Sequence, residues 1–140
     1  MEPRITLITL GVQNVATATA FYERVFQWQP TEASQDGITF FQLNGLQLAL
    51  FGRDALAEDA NLSARGSGFS GFSLAHNLRS EAEVDQFFTH LQIEGVAITK
   101  MPEKVFWGGY SGYFQDLDGH LWEVAHNPFL PLDEQGNAVG

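Results

Sequence analysis

Apolar and polar positions alternate along this chain in two rhythms, and the rhythms change in the same order twice. Residues 5–12 are rich in β-branched and other apolar side chains, the composition of a strand. Asn14 follows, with a side-chain oxygen suited to capping a helix. After it, Val15, Ala18, Phe21, Tyr22, Val25 and Phe26 recur at helical spacing and predict one apolar stripe. Three more strand-like runs come next, at 29–34, 37–43 and 46–52. The last two are joined by Asn44-Gly45, a strong two-residue hairpin signal.

The order then returns. Residues 69–78 read as a strand, and Ser80 with Glu83 forms a Ser-x-x-Glu capping box. Val84, Phe87, Phe88 and Leu91 make the apolar face of a helix that Gly95 closes. Strand-like runs follow at 96–100, 112–115 and 121–126, with Asp118-Gly119 as the turn where Asn44-Gly45 stood before. The second copy is eight residues longer between cap and turn, and 102–110 is where an inserted loop is expected. Between the copies, 53–71 reads as a linker with a short helix at 54–59.

Strand, helix and three strands, twice over, predict an α+β fold. It consists of two βαβββ modules forming paired curved mixed sheets with a cavity between them, since neither half covers both faces of its sheet alone. The expected organisation is one domain over 1–130, with module 1 at 4–53, the linker at 54–67 and module 2 at 68–128, then a C-terminal tail at 129–140.

Composition narrows the function. With 44% hydrophobic and 17% charged residues in 140, the chain is globular. No cysteine is present, which removes disulfides, thiolate metal sites and thiol nucleophiles. Seventeen acidic against seven basic side chains give a net charge of −10, a field that repels nucleic acid and attracts small cations. Residues 1–9 lack the plan of a signal peptide, and the apolar runs are too short to cross a bilayer. A cytoplasmic location with no membrane partner is expected.

The candidate chemistry is sparse. Phe106, Trp107, Tyr110, Tyr113 and Phe114 place five aromatics in nine residues interleaved with glycine, which suits a ligand wall or a packed plug between modules. His90 is expected at a helix surface. His120 and His126 share a strand parity opposite to that of Glu123, and His76 has the opposite parity to Ser73, so these groups do not converge. Only an unusual site built on His76 or His126 would use them. No nucleophile–base pair, phosphate loop or dinucleotide fingerprint is present.

Three stretches together resemble the vicinal oxygen chelate superfamily, which includes glyoxalase I, extradiol dioxygenases, fosfomycin-modifying enzymes and bleomycin-binding resistance proteins. They are the opening strand Leu7-Ile8-Thr9-Leu10-Gly11-Val12, the helical Ala20-Phe21-Tyr22, and Asp116-Leu117-Asp118-Gly119-His120-Leu121-Trp122-Glu123, where Leu117 replaces the usual proline. The resemblance implies a divalent metal held by one residue from each of four strands, usually His, Glu or Gln. Carried over, those positions are Leu7, Ala49, Ser73 and Glu123. Two have no donor atom and Ser73 is a poor ligand, while about three protein donors are needed. Register neighbours Ile8, Leu48 and Leu74 do not restore a set. No metal or cofactor is therefore expected.

Three functions follow. The first is a metal-free binding protein that sequesters an aromatic or cationic compound, in the manner of the bleomycin-binding members. Its expected ligand contacts are Thr9, Phe51, Ser73, Trp107, Ser111, Tyr113 and Glu123. The spacing of Tyr113 before Glu123 is similar to that of the extradiol dioxygenases' active-site tyrosine. The second is a lyase, isomerase or dioxygenase with a rebuilt metal site, or with Glu123 as catalytic base, desolvated among Trp122, Tyr113 and Leu121. The third is an interaction module without a ligand. The resemblance and the aromatic patch near Trp107 also imply a homodimer.

Overall fold

The computed structural model of the protein describes residues 1–139. The fold is α+β, and the chain forms two compact units, Met1–Ser70 and the part from Gly71 onward. Among the described residues, no helix is long and apolar enough to cross a membrane.

The first unit contains β1 (Leu7–Val12), α1 (Val15–Phe26), β2 (Ile38–Gln42), β3 (Gln47–Gly52) and α2 (Arg53–Asp59). Asn14 starts α1 as expected, its Oδ1 accepting the Thr17 N–H at 2.9 Å. Gln27, in the left-handed region at φ 60°, ends it. The helix returns the chain so that β3 pairs with β1 in parallel, while β2 pairs antiparallel with β3, giving the order β1-β3-β2. Gly45, at φ 78°, makes the β2–β3 turn that the sequence predicts.

Ala18, Phe21, Tyr22 and Val25 of α1 are buried, as are Leu10, Val12, Leu48, Leu50 and Phe41 of the sheet. The Tyr22 ring lies 4.9 Å from Phe26 and 5.9 Å from Phe41, centroid to centroid. Burying each large apolar side chain of this kind contributes about 2 kcal/mol. Thr39 also faces α1, sharing a hydrogen bond of 2.7 Å with Thr19. The strand expected at 29–34 does not form. Pro30 makes only an isolated bridge to Phe41, because proline has no N–H to give a ladder.

The second unit contains β4 (Leu74–Asn77), α3 (Glu81–Ile93), β5 (Ala97–Lys104), β6 (Tyr110–Gln115) and β7 (Leu121–His126), in the sheet order β4-β7-β6-β5. Ser80 Oγ accepts the Glu83 N–H at 3.1 Å, but the Glu83 carboxylate bonds the Arg79 N–H, one residue before the cap. At the other end, Gly95 N–H donates to the Gln92 carbonyl and Val96 N–H to the Leu91 carbonyl, with Gly95 at φ 71°. That pairing is a Schellman closure. Val84, Phe88 and Leu91 pack with Phe114, Trp122 and Val124 as the core.

Two expectations are corrected here. The strand foreseen at 69–78 is confined to Leu74–Asn77, since Gly66, Gly68 and Gly71 take positive φ in the preceding segment. The extra residues at 102–110 do not make a long loop. β5 runs on to Lys104, register shifts after Ile98 and Lys100 absorb surplus residues, and a tight turn closes with Val105 N–H on the Gly109 carbonyl.

The tail is ordered by Asp133, which accepts the Asn137 N–H at 2.8 Å. Its carbonyl takes the Arg79 guanidinium at 2.6 Å.

Candidate functional site

In the second unit, strand alternation sends Phe114, Trp122 and Val124 toward α3. The opposite face carries Ser111, Tyr113, Leu121, Glu123 and Ala125. Tyr113 and Glu123 are directly opposed across the β6–β7 pair. Tyr113 is half-buried, and its phenol pKa is held above 10.0. Desolvation is the main cause, followed by the charge of Glu123 and the hydrogen bond between the two. Lys100 of β5 is the register partner of Tyr113 on its other side and forms a 3.0 Å ion pair with Glu103. Sequence reading does not reveal Lys100 in this row, because the shifts in β5 break simple alternation.

The turn that aims β7 is built by Asp116. Its Oδ1 accepts the Asp118 and His120 N–H groups, each at 2.9 Å, and its Oδ2 lies 2.7 Å from His120 Nδ1. The Asp-x-Asp-Gly segment is thus a structural device that delivers Glu123, four residues after Gly119.

In the first unit, the face away from α1 carries Leu7, Thr9, Gly11, Ala49 and Phe51, together with Ile38, Phe40 and the hydrogen-bonded pair Gln42 and Gln47. Arg53 crosses the end of this face. A Cβ on Gly11 would lie 3.2 Å from Arg53 Cα and 3.4 Å from its Cγ.

The expected site residues are therefore placed as follows. Thr9 and Phe51 share one face of the first sheet, and Ser111, Tyr113 and Glu123 share one face of the second. Ser73 is exposed, immediately before β4. Trp107 sits in the β5–β6 turn rather than on a long loop, with its ring folded over Gly109. A Cβ there would fall 1.8 Å from Trp107 Cζ3. Glu123 shares its face with Tyr113 and Leu121 but not with Trp122, which points to the α3 side. Tyr110 likewise faces α3, its hydroxyl donating to Asp85 at 2.6 Å.

Three of the histidines are held in structural contacts. His120 pairs with Asp116, His126 Nδ1 lies 3.1 Å from the Leu78 carbonyl, and the half-buried His90 ring rests against Phe87. His76 is exposed by area, yet protein atoms crowd its ring and lower its pKa by desolvation.

The sequence model of the Glyoxalase/Bleomycin resistance protein/Dioxygenase superfamily matches residues 4–124. The chain belongs to that superfamily. It is 28% identical to the fosfomycin resistance protein FosX of Listeria monocytogenes over 84% of each chain. It is 30% identical to the metallothiol transferase FosB of Shouchella clausii, over 86% of this chain and 77% of that one. A solved glyoxalase-related enzyme from Fulvimarina pelagi superposes with a TM-score of 0.88 at 33% identity, covering 99% of this chain and 98% of that one.

Against that family, the donor set of this chain is the anomaly. Of the four positions carried over from the metal-dependent members, Leu7 and Ala49 are hydrocarbon, Ser73 offers a neutral hydroxyl, and only Glu123 is a carboxylate. Among the described residues, no three His, Asp or Glu side chains gather into a set that could hold a metal ion. These residues do not fit the metal centre that the resemblance implies.

Proposed function

We propose that this superfamily member binds a small organic molecule without a metal ion, with Glu123 and Tyr113 as its polar contacts. The observation that carries the reading is the pairing of Tyr113 with Glu123 on one sheet face, Glu123 being the one carried-over metal position that keeps a carboxylate. A carboxylate set beside apolar residues favours a ligand that donates a hydrogen bond or carries an amine. Ser111 and Ala125 form the next row of the same face and are both buried. Ser73 and Trp107 of the same unit complete the proposed contact set; Thr9 and Phe51 share a face of the first unit's sheet.

A screen of amines, aromatic compounds and fosfomycin, read by thermal shift and tryptophan fluorescence, tests this directly. Glu123→Gln is expected to weaken the best amine hit about tenfold, the worth of one charge-assisted hydrogen bond. Trp107→Ala is expected to weaken it less. Unchanged affinity in both variants would remove Glu123 and Trp107 from the site.

A second reading has its own support. A phenol and a carboxylate side by side can exchange a proton with a bound substrate, so Glu123 would act as a general base and Tyr113 as a donor in a lyase or isomerase reaction. Turnover of any screened hit, lost in Glu123→Gln, distinguishes this from simple binding.

We also infer a homodimer. Phe106 and Phe129 are fully or largely exposed near the Trp107 turn, and such apolar surface favours association. Sedimentation is expected to give twice the mass of 15.5 kDa, and a monomer at micromolar concentration counts against it.

A further inference from the structure

The first unit contains a cation that the reading above does not use. Arg53 follows β3 and lies over the face of the sheet that points away from α1. Glycine at position 11 leaves room for it, since a Cβ there would crowd Arg53 Cα, Cβ and Cγ at 3.2–3.4 Å. The guanidinium is held in place by a backbone carbonyl, Nε donating to Ala64 O at 2.9 Å, in an exposed setting. Arg53 has no acidic partner among the described residues, although the chain carries seventeen acidic side chains. A hydrogen bond through Nε fixes the fork while the terminal nitrogens keep donors for an oxyanion.

What lies beside it is the surface an acid's organic part would need. Phe51 pairs with Gly11 and with Ile38, and the next row along the strands is Thr9, Ala49 and Phe40. Phe51 therefore neighbours the position over which the Arg53 stem lies, and Thr9, Ala49 and Phe40 continue the same face one row on.

From this we propose that the first unit holds an organic-acid subsite, with Arg53 as its anion anchor, Thr9 as a second donor and Phe51 with Phe40 as the apolar wall. The inference goes beyond the amine-binding reading of Glu123 and stands independently of it.

The test is calorimetric titration of the whole chain with benzoate and with benzamide, its neutral isostere. The parent is expected to prefer benzoate, and added salt should weaken benzoate but not benzamide. Arg53→Gln is expected to weaken benzoate about tenfold or more and to leave benzamide unchanged, while Arg53→Lys falls between because it keeps charge without the fork. Glu123→Gln and Lys100→Gln should leave benzoate where it is. Equal affinity of the parent for benzoate and benzamide overturns the proposal, even if Arg53→Gln does not fold. So does a benzoate affinity that survives in Arg53→Gln or falls instead in Lys100→Gln.

Discussion

Replacing Gly112 with alanine is expected to cost the second unit about 3 kcal/mol of unfolding free energy, at the upper end for overpacking. The added Cβ would lie 2.6 Å from Phe88 Cζ, 2.8 Å from the Lys100 carbonyl oxygen and 2.9 Å from Pro102 N. None of these can move aside cheaply. Phe88 is buried at 1% exposure in the core between α3 and the sheet, and the other two are backbone atoms of the bulged stretch of β5. The register shifts in β5 therefore depend on there being no side chain at position 112. Gly37→Ala is the matched control. Its Cβ would meet nothing within 4 Å, and a change within about 0.5 kcal/mol is expected. Denaturant midpoints of the two variants check the contrast, and equal midpoints would show that β5 relaxes around the methyl group.

Asp116→Ala is expected to be comparably severe, about 3 kcal/mol. The residue is 6% exposed, and the substitution removes the acceptor for two N–H groups of the β6–β7 turn and for the His120 ring at once. Asp116→Asn keeps one oxygen acceptor and should cost about 1 kcal/mol, less than half as much. The consequence reaches the candidate site, because this turn fixes where β7 begins and hence where Glu123 stands opposite Tyr113. Tyrosine titration of the folded Asp116→Asn variant should keep the Tyr113 phenol above its ordinary value, because the remaining oxygen acceptor holds the turn and hence the pair. A return to the ordinary value would mean that one acceptor at position 116 is not enough to hold Glu123 opposite Tyr113.

The local signals in the sequence were legible where one residue type does one physical job. Asn14 and Ser80 cap their helices, Gly45, Gly95 and Gly119 take positive φ, and the apolar stripes of α1 and α3 are the buried ones. Face assignments in β1, β3, β6 and β7 follow from alternation alone, which is why Thr9 with Phe51, and Ser111 with Tyr113 and Glu123, fall on common faces. The misses occur where that rule is interrupted. Pro30 withholds a ladder donor, the glycines at 66, 68 and 71 shorten β4 at its start, and the bulges of β5 hide Lys100 and pull Trp107 into a tight turn. Arg53 was invisible because its position depends on the space above Gly11, a contact between residues 42 positions apart that no local pattern encodes.

The central claim is that this member of the superfamily recognises small molecules without a metal, and the metal content of the purified protein tests it most directly. Elemental analysis for zinc, manganese, iron and nickel after dialysis is predicted to find far less than one ion per chain. Leu7, Ala49 and Ser73 stand where donors would be, and a lone Glu123 competes poorly with water for an ion. About one tightly held ion per chain, released only by a chelator with loss of stability, would contradict the account.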